Sequence, residues 1–408
     1  MEFTKEQLKK RRLMMLFGAF AIFFTGFPHV WSVYQPFMMK MAGWSQEEAY
    51  MCFYLSFCTF VMGTIVGGRL QGKIGSRMVV VIGGGIFAAG VILSAFLIGP
   101  SPIPMYLTYG LMQGAGQGMI YTTIIATAQK WFPGRTGFAS GVIVTANGLC
   151  GFFLAPVSRA LLEEGGPKLA FLIIGGVIVV AWILSSVFFC TPDDMKSMKM
   201  AKTPDVVSDT QRKKDYTSGE MIRTKSFYLL VTTMMFGLLA YFLLSPVSQT
   251  YQVGMGIPVS AAVFSVMAGS LVNASARLIT PAIADKLGRI ACVRWILIVL
   301  IVAMAVLAVS RSYVVTVLVI VVYGCYGGIM GNFPSLTSSI FGIEHAGENY
   351  GYVMFGMVAA TFGAPMITSI MNKMGYGMQH VFAMGAVFAV LALGCLMMLK
   401  HELHKKKS

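Results

Sequence analysis

The chain alternates between long apolar runs and short polar interruptions. Runs near the roughly 20 residues that a helix needs to cross about 30 Å of hydrocarbon lie at 13–37, 48–71, 78–98, 103–129, 138–161, 169–190, 226–250, 259–282, 291–310, 313–341, 347–371 and 378–399. The pattern predicts an all-α membrane protein with twelve transmembrane helices. Most runs are apolar on every side, so periodicity does not show which faces would line a cavity. The single long polar interruption, 191–225, divides the chain into an N-terminal six-helix bundle (1–190), a cytoplasmic linker and a C-terminal six-helix bundle (226–408).

Two short patterns recur. Gly72-Lys73-x-Gly75 in GRLQGKIGSR returns as Asp285-Lys286-x-Gly288 in PAIADKLGR, and WFPGRTGFASG (131–141) returns as IFGIEHAGENYG (340–351). Six spans separate the copies, so both keep one orientation and predict two parallel, pseudo-symmetric halves related by an axis along the membrane normal.

Composition agrees with a membrane protein: 56% of residues are hydrophobic and 12% charged, with a mean hydropathy of +0.73, against about 25% charged in soluble domains. The net charge of +15 raises nucleic-acid binding as a reading, and its distribution argues against it. With the N-terminus in the cytoplasm, only Lys40, Lys168, Arg311, Lys373 and Arg159 fall on the far side; the other Lys and Arg residues, Arg277 apart, fall on cytoplasmic segments. This positive-inside bias places both termini in the cytoplasm and the chain in the cell's inner (plasma) membrane, as a multi-pass protein among lipid with no nucleic-acid partner. The first span is too long for a signal peptide and lacks a small-residue cleavage site, so it is expected to stay attached.

The seven cysteines lie scattered in apolar stretches without CxxC spacing and read as packing residues. GAGQG (114–118) lies inside an apolar span with no preceding strand, HELH (401–404) lacks zinc-protease spacing, and no Walker loop occurs. No cofactor, metal or enzymatic activity is expected, and transport would be driven by gradients.

The loop pattern Gly-x-x-x-Asp-Lys/Arg-x-Gly-Arg/Lys, repeated after spans 2 and 8, resembles the signature of the major facilitator superfamily. The first copy carries Gly72 where the family has Asp; the second has Pro281 for the leading Gly and keeps Asp285, Lys286, Gly288 and Arg289. WFPGRTGFASG, SGEMIRTKSFYLL, ADKLGR, FPSLTSSIFG and ENYGYVM are similar to the oxalate/formate antiporter family and related monocarboxylate transporters. The resemblance implies alternating-access transport of small carboxylates by a monomer. It also implies gating roles for the loop residues Lys73, Arg77, Asp285 and Arg289.

Arg277 sits in span 8, roughly 12 Å of helix from Asp285. An arginine at mid-membrane costs about 2.5–3.5 kcal/mol on insertion scales and by default marks function. The acidic residues, such as Glu47, Glu163, Asp285 and Glu348, lie at span ends or in loops. Arg277 is therefore expected to bind a substrate carboxylate with its planar fork. Asn273, at i−4, would share its face and bind a second oxygen or orient the guanidinium. The family places a substrate-binding Arg in this context. Its oxalate exchanger is expected to carry a Lys in span 11, where this chain has Met357 and no Lys or Arg. One fixed cation matches one carboxylate, so lactate, pyruvate, formate or acetate is expected, with a proton restoring neutrality.

His29, in GFPHVWSVY of span 1, titrates near physiological pH and joins Arg277 as a proton-coupling candidate and the substrate contacts as another. Tyr121, which the family resemblance places facing substrate, Tyr326 and Asn332 are further binding candidates, and Trp31 and Tyr34 an apolar wall for a short alkyl group. For each, packing between helices is the plain alternative. Rival functions are an oxalate/formate-type anion exchanger and a membrane receptor that binds without transporting.

Overall fold

The computed structural model describes residues 5–132, 134–191 and 215–405. The regular elements among these are helical. They form twelve long helical segments: α1 (Lys5–Ala42), α2 (Gln46–Ile74), α3 (Ser76–Ser94), α4 (103–131), α5 (136–165), α6 (167–188), α7 (Lys225–Val247), α8 (Val259–Leu287), α9 (Arg289–Val309), α10 (Val314–Phe341), α11 (Ala346–Lys373) and α12 (Met378–Lys405). With α5 and α6 taken as one stretch, all but α4 make up ten helices long and apolar enough to cross a membrane. Most of the predicted linker, 192–214, lies outside the described residues.

Local chemistry sets the breaks. α5 and α6 run together except at Gly166, whose φ of 70° and following Pro167 turn the chain between two spans. α1 is interrupted by the 3-10 turn Phe27–Val30 around Pro28. α4 contains an eight-residue π-helical stretch, Tyr106–Gln113, that composition does not reveal. At the start of α2, Ser45 and Glu48 form a reciprocal capping box. Ser45 donates from its backbone N–H at 2.8 Å and its hydroxyl at 2.9 Å to the Glu48 carboxylate. These bonds hold that carboxyl below its ordinary pKa.

The helices are apolar on both faces. On α9, Val293, Leu297, Leu300, Met304 and Leu307 are buried, while Trp295, Val299, Val302 and Val309 point outward. An outward apolar row of this kind suits lipid and would be costly in water.

The described residues divide into two compact units, one up to Ser218 together with Thr337–Tyr352, the other Gly219–Leu336 with the chain from Val353 onward. Within the first, the segment after α10 is fastened by several bonds. The Asp215 carboxylate accepts from the backbone N–H of Ile343 at 2.8 Å, the Asn349 amide accepts from Ser218 and donates to the Tyr216 carbonyl, and Arg69 pairs with Glu348 at 2.7 Å and with the Tyr352 hydroxyl.

The internal repeat extends to whole helices. α2 and α8 are each 29 residues long, and each is followed by a glycine with positive φ, Gly75 at 82° and Gly288 at 92°. The recurring glycine is required because an L side chain is strained in that conformation.

Candidate binding site

In the second unit, α8 buries Ala262, Ser265, Gly269, Asn273, Arg277, Pro281 and Ala284, one face repeating every three or four residues. That face packs against α10 rung by rung: Gly269 against the Tyr323 ring, Gly327 against the Asn273 backbone, and Gly331 against the Arg277 backbone. A Cβ at Gly331 would sit 2.7 Å from the Arg277 carbonyl oxygen and 2.8 Å from its Cα. Glycine lets the two backbones meet where Arg277 leaves α8.

Arg277 is 2% exposed. Its Nε donates to Asn273 Oδ1 at 3.0 Å, one turn earlier, which orients the fork. Its Cζ lies 5.5 Å from the centre of the Tyr326 ring, a cation–π arrangement. Tyr326 in turn stacks on Tyr241 of α7, with centroids 3.9 Å apart and planes inclined by 15°. Asn332, fully buried, donates to Thr280 Oγ1 and to the Gly328 carbonyl, each at 2.8 Å, and so ties α10 to α8 beside the arginine. The second unit therefore brings together Arg277, Asn273, Tyr326 and Asn332. Met357 is buried on α11.

The remaining candidates lie in the first unit. Trp31 and Tyr34 are buried in an aromatic core with Phe27, Tyr109 and Phe171; Trp31 stacks with Tyr34, and its indole donates to the Ala49 carbonyl at 2.9 Å. Tyr121 is buried with its ring edge-on to Phe60 at 5.2 Å. His29 is exposed at the break in α1, its ring 5.5 Å from Phe57.

A buried polar chain runs through this unit. Ser56 donates to Gln113, Gln113 to Gln117, Gln117 to the Thr25 carbonyl, and Asn147 to the Thr25 hydroxyl, over 2.5–3.0 Å. Amides from α4 and α5 thus satisfy the polar groups of Thr25 where α1 breaks.

Of the loop residues, Asp285 and Arg289 pair with each other at 2.9 Å. Arg77 donates to the Ser186 carbonyl at 3.1 Å, and Lys73 is exposed. Among the described residues no group of three or more His, Cys, Asp or Glu could hold a metal.

The family model described as Major Facilitator Superfamily matches residues 15–364. The chain belongs to the major facilitator superfamily. Within this superfamily, it is 26% identical over 373 residues to the oxalate:formate antiporter of Oxalobacter formigenes, covering 90% of this chain and 87% of that protein. It is 32% identical over 122 residues to monocarboxylate transporter 12-B of Danio rerio, a stretch that is 30% of this chain and 25% of the relative. Among solved structures it resembles the major facilitator FucP in the outward conformation, with a TM-score of 0.69 at 13% identity, covering 95% of this chain and 98% of that one. The last likeness shows the shared all-α membrane fold.

Several residues that shape these two units were not among the candidates read from the sequence. Gly327 and Gly331 carried a readable signal, small residues four apart in an apolar span. So did Gln113 and Gln117, paired amides at i and i+4. Tyr241 carried none, being one aromatic among many in α7, and Arg69 reads in sequence as one more basic loop residue.

Proposed function

We propose that the chain is a secondary active transporter of small monocarboxylates of the lactate, pyruvate, formate or acetate type, coupled to a proton by alternating access. The observation that carries the reading is the position of Arg277, a permanent cation buried mid-helix, with its fork oriented by Asn273 and its backbone seated on Gly331. Relatives named for oxalate, formate and monocarboxylate transport support a carboxylate as cargo.

In this reading the guanidinium donates two parallel hydrogen bonds to one carboxylate, and the resulting neutral pair lowers the cost of carrying the anion through a medium of low dielectric. Span 11 supplies no second cation, because 347–371 contains no Lys or Arg. A dicarboxylate would therefore keep one negative charge uncompensated. His29 is the proposed proton carrier, histidine being the residue type whose ordinary pKa lies nearest physiological pH. The six-helix bundles 1–190 and 226–408 are the moving bodies of this cycle, with Lys73, Arg77, Asp285 and Arg289 in the gating loops. The monomer sits in the cell's inner membrane with both termini in the cytoplasm.

Reconstitution into proteoliposomes with a panel of radiolabelled C1 to C4 acids tests this. Saturable uptake of monocarboxylates, raised by an inwardly directed proton gradient and absent for oxalate, is the expected outcome. Oxalate uptake that requires formate inside would establish the exchange reading instead.

A further inference from the structure

Beside Arg277 stands an aromatic stack that the reading above leaves unused. Tyr326 lies against the guanidinium and Tyr241 lies flat on Tyr326. Tyr323 meets Tyr241 edge-on, with centroids 5.0 Å apart and planes at 74°. The Tyr323 hydroxyl is 3.2 Å from Ser245 Oγ and 3.5 Å from Ser248 Oγ, so the end of the stack away from the arginine is braced. On its α8 side, the Tyr323 ring packs against Gly269. Tyr326 and Tyr323 are buried and Tyr241 is half-buried.

The surroundings of the fork limit where a bound acid can extend. Asn273 occupies the Nε edge, and the α10 backbone at Gly331 lies against the backbone of Arg277. The body of a carboxylate held on the guanidinium then runs beside the tyrosine stack. We propose that Tyr241 is a specificity-determining residue that sets the chain length of the acid accepted at Arg277, admitting acids of two or three carbons and turning away longer alkyl chains. This rests on the monocarboxylate reading. A rigid wall discriminates by size because it cannot yield to an extra methylene, each of which changes selectivity by about tenfold or more in a well-packed pocket. Tyr241 meets that requirement by being held on two sides, by stacking on Tyr326 and by the edge of Tyr323.

The test is uptake of radiolabelled acetate, lactate, butyrate and hexanoate by the full-length protein in proteoliposomes, for wild type, Tyr241→Ala, Tyr241→Leu and Tyr241→Phe. Wild type is expected to favour acetate and lactate over hexanoate. Tyr241→Ala and Tyr241→Leu are expected to lower that preference by about tenfold, and Tyr241→Phe, which keeps the ring, to preserve it. If Tyr241→Ala is not recovered folded, the Leu and Phe variants decide. A preference unchanged in Tyr241→Leu, or lost equally in Tyr241→Phe, overturns the proposal. Wild-type protein that takes up none of the four acids overturns this proposal, and absence of formate and pyruvate uptake as well overturns the monocarboxylate reading on which it rests.

Discussion

The α8–α10 pair of the second unit and the α2–α4 pair of the first are built on one plan and carry different chemistry. In both, rungs four residues apart meet across two helices: Gly269–Tyr323, Asn273–Gly327 and Arg277–Gly331 in one, Ser56–Gly114, Phe60–Gly118 and Thr64–Thr122 in the other. Where the second unit has Arg277, the first has Thr64, whose carbonyl accepts from the Thr122 hydroxyl at 3.3 Å. Polar groups in the first pair belong to a chain of amides and hydroxyls that bond one another and repair the break in α1. Such a network rigidifies when it is satisfied and carries no charge. The second pair holds a buried cation, for which attraction to a mobile anion is the natural use. Duplicated helix packing therefore supplies a frame, and the third rung distinguishes a pair without a charge from the pair proposed to bind the anion.

The comparison can be broken in several places. Arg277→Thr makes the third rungs alike, and monocarboxylate uptake in proteoliposomes is expected to fall by about 100-fold, the usual scale for losing one member of a buried charge pair. Thr64→Ala is expected to leave uptake within about twofold of wild type, since it keeps the backbone carbonyl.

Gly331→Ala is the next largest effect. The added methyl group meets the Arg277 backbone, and overpacking of this kind costs about 1–3 kcal/mol. Uptake is expected to fall more than thermal stability, because the displaced backbone is that of Arg277, the proposed binding residue. Gly118→Ala meets the Phe60 carbonyl and the Thr64 N–H in the first unit. It is expected to lower thermal stability to a similar degree while the folded fraction keeps the wild-type KM.

Gln117→Leu removes the amide between Gln113 and Thr25. Leaving buried groups unsatisfied costs about 1–3 kcal/mol, so the detergent-solubilised protein is expected to unfold at lower temperature with its KM unchanged. An altered KM would mean that the neutral chain touches substrate.

The smallest effect belongs to the α2 cap. Glu48 is held below its ordinary pKa by Ser45, so its contribution is complete above the ordinary carboxylate range and is lost as pH falls through the lower, folded value. Glu48→Gln is expected to lower the unfolding temperature slightly at neutral pH, with a difference that vanishes in acid. Thermal melts of both proteins across pH check the sign.

Much of the fold was legible because the bilayer imposes length. Apolar runs near 20 residues marked the passes, and Gly166-Pro167 falls between two of them. The recurring Gly75 and Gly288 announced the repeat because their backbone angles exclude other residues. The π-helical stretch in α4 was not legible, since it is a backbone adjustment with no residue signature. Nor was the grouping of Thr337–Tyr352 with the first unit, which depends on contacts such as Arg69 with Glu348 between residues far apart in sequence. At the site, Arg277 stood out by the cost of its charge, and the Asn273 spacing anticipated the bond between them. The depth of Trp31 and Tyr34 within the aromatic core was beyond reach, because a span that is apolar all round does not say which side faces inward. Tyr241 was equally silent, because its role follows from stacking on Tyr326 across two helices.

The most direct test of the central claim, one carboxylate on one guanidinium, is equilibrium binding of radiolabelled lactate, formate and acetate to purified protein by scintillation proximity. Wild type is expected to bind one of these acids saturably with one site per chain, and Arg277→Ala, matched to it in thermal stability, to show no saturable binding. Saturable binding that persists at wild-type affinity in Arg277→Ala would contradict the account.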